Sequence, residues 1–277
     1  LTKNLLAFGL VTMGLLSGTA KAGFPENDLW KEDCLWCEGA GTTEQEFNAE
    51  IDKVVNKYRA AVAGHGASLK VNRLWTNSTV NASAEQQGKT WILNMYGGLA
   101  RRPEVTLDGF ALVVCHELGH HLGGFPLYGS GEWAASEGQS DMFATQACGR
   151  LVWKSEASVN ATFRDTVGQI EKSKCDQTWK SQGNRDLCYR QAAAGQSLAN
   201  LLASLNGAQT PSFSTPDRQV VSRTQVSHPR AQCRLDTYLA GAVCGKTFPF
   251  NVIPKTKSAD AACQVSIGKR PTCWYAP

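Results

Sequence analysis

The sequence predicts an α+β fold that is mainly helical, carries a small, mostly antiparallel sheet, and is disulfide-bonded. Three observations lead there. A hydrophobic share of 42% over 277 residues is enough for a packed core, and 10 cysteines form an even set that is unusual for a reducing compartment. Three runs at residues 69–75, 79–84 and 90–96 alternate β-branched or aromatic residues with polar ones. Helical periodicity dominates on both sides of that block.

The chain opens with Lys3, an apolar stretch over residues 5–16, and Ala20-Lys21-Ala22, which together predict a signal peptide over residues 1–22 cut before Gly23. The apolar stretch falls short of the ~20 residues that a membrane-spanning helix needs. The expectation is a secreted or periplasmic protein with no integral membrane span after cleavage, and with envelope proteins as candidate partners. A formal charge of +4 and the absence of any Lys/Arg block argue against nucleic acid. Residues 23–42 form a leader containing Cys34-Leu35-Trp36-Cys37, where a local structural disulfide is favoured over redox chemistry because no βαβ pattern surrounds it.

From Thr43, apolar residues at Phe47, Ile51, Val54, Tyr58 and Val62 recur with a helical period that stops at Gly64-His65-Gly66. The three strand-like runs follow, and Gly97-Gly98 and Arg102-Pro103 punctuate their exit. Asp108 is the expected cap of a helix over residues 109–122, ended by Gly123-Gly124. Further helices are expected over 132–152, 159–172 and 191–205, then an irregular Ser/Thr/Pro-rich stretch over 210–226. The main domain should cover residues 43–240, with a disulfide-rich extension over 241–277.

Three of the five histidines fall in Cys115-His116-Glu117-Leu118-Gly119-His120-His121. His116 and His120, one helical turn apart, project from one face and can share a single zinc ion. Glu117 beside them can reach a water on that ion, take its proton during attack, and pass it to a leaving amine. An apolar run over 110–114 leads into these residues, and burying imidazoles and a carboxylate there needs partners that a metal would supply. Pro126 stands where a metzincin would place its third histidine. Instead Glu137 and Asp141, four apart on the next helix, offer a pair in which one ligates and the other hydrogen-bonds the far nitrogen of a ligand histidine. His121 points about 100° around the helix from His120 and is a weaker ligand candidate. Pairing Cys115 with Cys148 would tie the two ligand-bearing helices together. Proximity in sequence suggests Cys175–Cys188, Cys233–Cys244 and Cys263–Cys273 for the rest.

Taken together, these residues resemble a gluzincin zinc metallopeptidase, in particular the HtpX/BepA-like family that includes the CAAX prenyl proteases. Thr79-Val80-Asn81-Ala82-Ser83-Ala84 followed by Met95-Tyr96-Gly97-Gly98-Leu99 is similar to that family's segments before the active helix. The zinc motif over 116–120, the Glu137/Asp141 helix, and His228-Pro229 with Arg234 complete four matches in order across about residues 79–236. The gap between His120 and Glu137 is short for the family. The chain also lacks the membrane helices or helical repeats that its members often carry. The resemblance implies a zincin-like fold with one Zn2+ held by His116, His120 and Glu137, and with Glu117 as base. It further implies Asp141 as the partner of His116, and His228 and Arg234 as stabilisers of the oxyanion. An extended peptide would pair with the strand near residues 81–84. The expected activity is endopeptidase cleavage of a peptide or protein substrate by a zinc-bound water. The alternative is a non-catalytic, disulfide-rich binding or assembly factor with a structural zinc.

Overall fold

The computed structural model describes residues 22–23 (backbone only), 42–129, 132–248, 262–263 and 267–277. The expected signal peptide up to residue 21 and the Cys34/Cys37 pair lie outside the described residues.

Helix α1 (Glu44–Gly64) buries the five apolar positions that set its period. Its start is a capping box: Thr43 accepts from the Glu46 amide, and Glu46 accepts from the Thr43 amide at 2.9 Å. Strands β2 (Ser68–Leu74), β3 (Ala82–Gln87) and β4 (Thr90–Tyr96) follow, with β3 and β4 joined through Gly88 at φ +58°. The second strand starts three residues later than its sequence pattern suggests. Asn77 accepts from the Thr79 amide in an Asx-type turn, and Asn81 accepts from the Ala82 amide just before the strand.

The sheet is mixed, not mostly antiparallel. Strand β4 lies between β3, which pairs with it antiparallel, and β2, which runs parallel to it from Ser68↔Thr90 to Leu74↔Tyr96. The connection from β2 to β3 crosses the end of β4, and Gly97 and Gly98 of the short helix α2 (Gly97–Ala100) make room for it. A Cβ on Gly97 would lie 1.8 Å from the Trp75 carbonyl, and one on Gly98 would lie 2.0 Å from that of Ser78. On the outer edge of β3, the two-residue strand β1 (Ala22–Gly23) pairs antiparallel with Ala84 and Ser83.

Helix α3 (Leu107–Leu122) runs through the centre, buried from Gly109 to Leu122. It packs on α1 and β3, and on the helices described next, α4 (Glu137–Phe143) and α8 (Gln182–Leu205). Its cap is Thr106, which accepts from the Gly109 amide at 3.0 Å, and not Asp108, whose carboxylate is occupied by Arg190 at 2.6 and 2.9 Å. The expected helix over 132–152 begins at Glu137 and continues through a π-helical turn (Ala144–Gly149) into α5 (Arg150–Trp153). The expected helix over 159–172 is broken. Helix α6 (Ala157–Ala161) gives way to a 3-10 turn, and α7 (Gln169–Thr178) restarts at Gly168, whose amide donates to Glu171 at 2.5 Å. Helix α8 begins nine residues before its expected start, with the Asn184 amide bonded to Ser181. Helix α9 (Ala231–Ala242) follows Pro229 and was not expected.

Four disulfides join the described residues. Cys115–Cys148 and Cys175–Cys188 match the expected pairs, whereas the C-terminal pairs are Cys233–Cys273 and Cys244–Cys263. Neighbours in sequence are not neighbours here, because the chain returns after α9 and lays its last residues beside the start of that helix. Among the described residues no helix is long and apolar enough to cross a membrane.

Candidate metal centre

The central helix and the helix it crosses bring three ligand atoms together. His116 and His120 sit one turn apart on α3, and Glu137 is the first residue of α4. The two Nε2 atoms are 3.1 Å apart, His116 Nε2 is 3.2 Å from Glu137 Oε2, and His120 Nε2 is 3.7 Å from Glu137 Oε1. Tetrahedral zinc with bonds of 2.0–2.1 Å requires ligand atoms about 3.3 Å apart, so the trio has the spacing for one ion. All three residues are fully buried, as is Glu117.

Both rings are held by their far nitrogens. Nδ1 of His116 is 2.8 Å from Asp141 Oδ1, and Nδ1 of His120 is 2.8 Å from the Ala135 carbonyl and 3.0 Å from Ser140 Oγ. With Nδ1–H donating, each Nε2 faces the shared centre, where it would offer its lone pair to an ion once His116 gives up its second proton. Arg234 holds Asp141 in turn, with Nε and Nη2 donating to its two oxygens, each at 2.7 Å. The Arg234 guanidinium is buried and committed to Asp141, so the structure places it behind His116. That differs from the oxyanion-facing position implied by resemblance.

Burial works against a charge on His116, but Asp141 and Glu137 outweigh it and raise the ring to about 9 without a metal. His120 is pushed down to about 4, chiefly by burial. Burial opposes ionisation of Glu137, yet the hydrogen bond from His116 and the charges of the histidines hold its carboxyl well below the usual range. Glu117 goes the other way. Burial pushes its carboxyl up to about 8, and neither of its oxygens has a hydrogen-bond partner. An unpartnered buried carboxylate costs at least ~1–3 kcal/mol, so its presence calls for a role.

His228, on the irregular segment, has Nε2 3.2 Å from Glu137 Oε1 and a side chain 27% exposed. The segment is fixed there by the Val226 carbonyl, which accepts from the Glu137 amide at 3.1 Å. His121 is not part of the trio. It stacks between Trp91 at 5.0 Å and Trp133 at 4.8 Å, with Nε2 3.4 Å from the Ile92 carbonyl and Nδ1 3.2 Å from Gln86. Tyr128, absent from the sequence expectations, donates its phenol to Glu137 Oε1 from the turn between α3 and α4. Ser140 was also missed. Both are single polar residues with no spacing rule to mark them.

No protein-family model, curated protein or solved structure matches the chain.

Proposed function

We propose that the protein is an exported, zinc-dependent endopeptidase of the HtpX/BepA-like gluzincin type, acting on peptide or protein substrates in a secreted or periplasmic setting. The observation that carries this reading is the buried trio His116, His120 and Glu137, with Glu117 beside it and lacking any partner for its carboxylate. A structural site has no use for that fourth group, whereas hydrolysis needs a base that no other residue occupies. Zinc in this donor set would supply Lewis acidity, lowering the pKa of a water and polarising the scissile carbonyl.

The chain's own residues would do the rest. Glu117 would take the proton of the attacking water and deliver it to the leaving nitrogen. Asp141 and Ala135 fix the ring tautomers, and Arg234 keeps Asp141 ionised and oriented. His228, the partly exposed member of the group, would donate to the developing oxyanion. The outer edge of β3 already accepts one antiparallel backbone segment, and an extended substrate would use the same hydrogen-bonding groups.

A second reading is a non-catalytic assembly factor with a structural metal. It is favoured by the complete burial of all three ligands and Glu117. His228, by contrast, is partly exposed and lines a cavity of about 690 Å³ together with Asn206, Gln209, Arg218 and Arg230. The deciding experiment measures metal content and the cleavage of casein and varied peptides by wild type and Glu117→Gln. Both proteins should bind one zinc and only wild type should cleave. A zinc-loaded wild type as inactive as Glu117→Gln on every substrate would leave the assembly-factor reading standing.

A further inference from the structure

We propose that Tyr128 is a positioning residue of the metal centre, fixing the Glu137 carboxylate through a hydrogen bond to its Oε1. The inference rests on the metal reading above and adds to it how the carboxylate is presented.

The two oxygens of Glu137 have different surroundings. Oε1 accepts from the Tyr128 phenol and lies 3.2 Å from His228 Nε2. Oε2 is buried and lies 3.2 Å from His116 Nε2, with Arg234 Nη2 at 3.7 Å, and Oε1 itself lies 3.7 Å from His120 Nε2. Both oxygens therefore face the histidines, and the phenol holds the carboxylate from the Oε1 side. The phenol thus fixes how the carboxylate that would hold an ion is turned towards the histidines.

Tyr128 is held too well for this contact to be incidental. Its amide donates to the Ala134 carbonyl at 3.0 Å, and Leu127 bridges Ala135. Ser136 donates to Pro126 at 2.8 Å, and Ala135 donates to the His120 carbonyl at 2.9 Å. The turn that carries the phenol is thus bonded at one end to the helix bearing two ligands, and at the other it runs into the helix bearing the third. Hydrogen bonds that orient a metal-bound carboxylate are worth about 10–100-fold in metal affinity.

The test uses the full chain, stripped of metal, as wild type, Tyr128→Phe and Leu127→Ala. Each is titrated with zinc against a competing chelator and with cobalt, whose visible absorption reports coordination number. Tyr128→Phe should bind zinc about 10–100-fold more weakly and show an altered cobalt band, because the carboxylate loses the donor that orients it. Leu127→Ala, which alters the turn but keeps the phenol, should match wild type in affinity and spectrum. Equal affinity with an unchanged cobalt spectrum in Tyr128→Phe would overturn the proposal. So would a loss that Leu127→Ala reproduces, since that marks general loosening. A wild type that binds no zinc would instead remove the metal reading itself.

Discussion

His116 and His120 are the same residue type one turn apart on one helix, yet they differ in how they hold a proton. Asp141 and Glu137 draw His116 up to about 9 against the effect of burial, whereas burial drives His120 down to about 4. At neutral pH the metal-free centre therefore carries a proton on His116, and an ion must displace it. Zinc affinity should rise about tenfold per pH unit up to roughly pH 9, with release of one proton, and then level off. Calorimetric titration in buffers of different ionisation enthalpy counts that proton directly. The sign for folding is opposite: the stabilisation from protonated His116 is complete below its unfolded value of 6.5 and is lost as pH rises through about 9. The Glu117 carboxyl, raised to about 8 by burial, adds a loss of the same sign. The metal-free protein should thus melt at lower temperature at pH 9 than at pH 6.5, a trend that bound zinc should suppress. Asp141→Asn should flatten the pH dependence of zinc affinity and weaken binding about 10–100-fold. A pH slope unchanged in Asp141→Asn would place the proton elsewhere.

The helices supply the precision that these side chains need. Helices α3 and α4 cross where a Cβ added to Gly119 would sit 2.9 Å from Ser140 Cα and 3.0 Å from its carbonyl oxygen. Gly119→Ala should therefore push α4 and its Glu137 away from the histidines. The expected cost is about 1–3 kcal/mol in urea denaturation, with weaker zinc binding even where the fold survives. Cys115–Cys148 binds α3 to the π-helical turn that continues α4, and Cys→Ala at both positions should cost about 2–4 kcal/mol. Patterns confined to one helix were legible in the sequence. The i, i+4 histidines and the Glu137/Asp141 pair share a face whatever surrounds them, and the period of Phe47 to Val62 predicts α1. Features set by chain crossings were not. Alternation in residues 68–74 is the same for a parallel or an antiparallel neighbour, so it could not show that β2 joins β4 in parallel. Gly168 interrupts an apparent helical run because its amide is better satisfied by Glu171 than by a preceding turn. Tyr128 reaches Glu137 only because the turn after α3 folds back, and a lone tyrosine in a turn carries no period from which to foresee it.

Across the whole molecule, the C-terminal residues lock the irregular segment against the centre. Trp274 is fully buried against Gly138 of α4, where a Cβ would lie 2.3 Å from the indole. Arg270 reaches Gln139 at 2.9 Å and the Phe125 carbonyl at 3.1 Å. The same tail pairs with the segment that carries His228: the Val221 amide donates to Thr272 at 3.0 Å and the Gln225 amide to Trp274 at 2.7 Å. Cys233–Cys273 fastens this layer to α9 next to Arg234. A path of packed and bonded residues therefore runs from the chain's last residues to both sides of Glu137. Trp274→Ala would empty the space over Gly138 and free the tail to lift, taking Val226 and His228 with it. The expected cost is about 3–5 kcal/mol in denaturant unfolding. Local release should appear first, as faster proteolytic cleavage within residues 206–230 while α3 remains protected from hydrogen exchange. If that segment stays as resistant to protease as in wild type, then its own contacts, and not the tail, hold His228 beside Glu137.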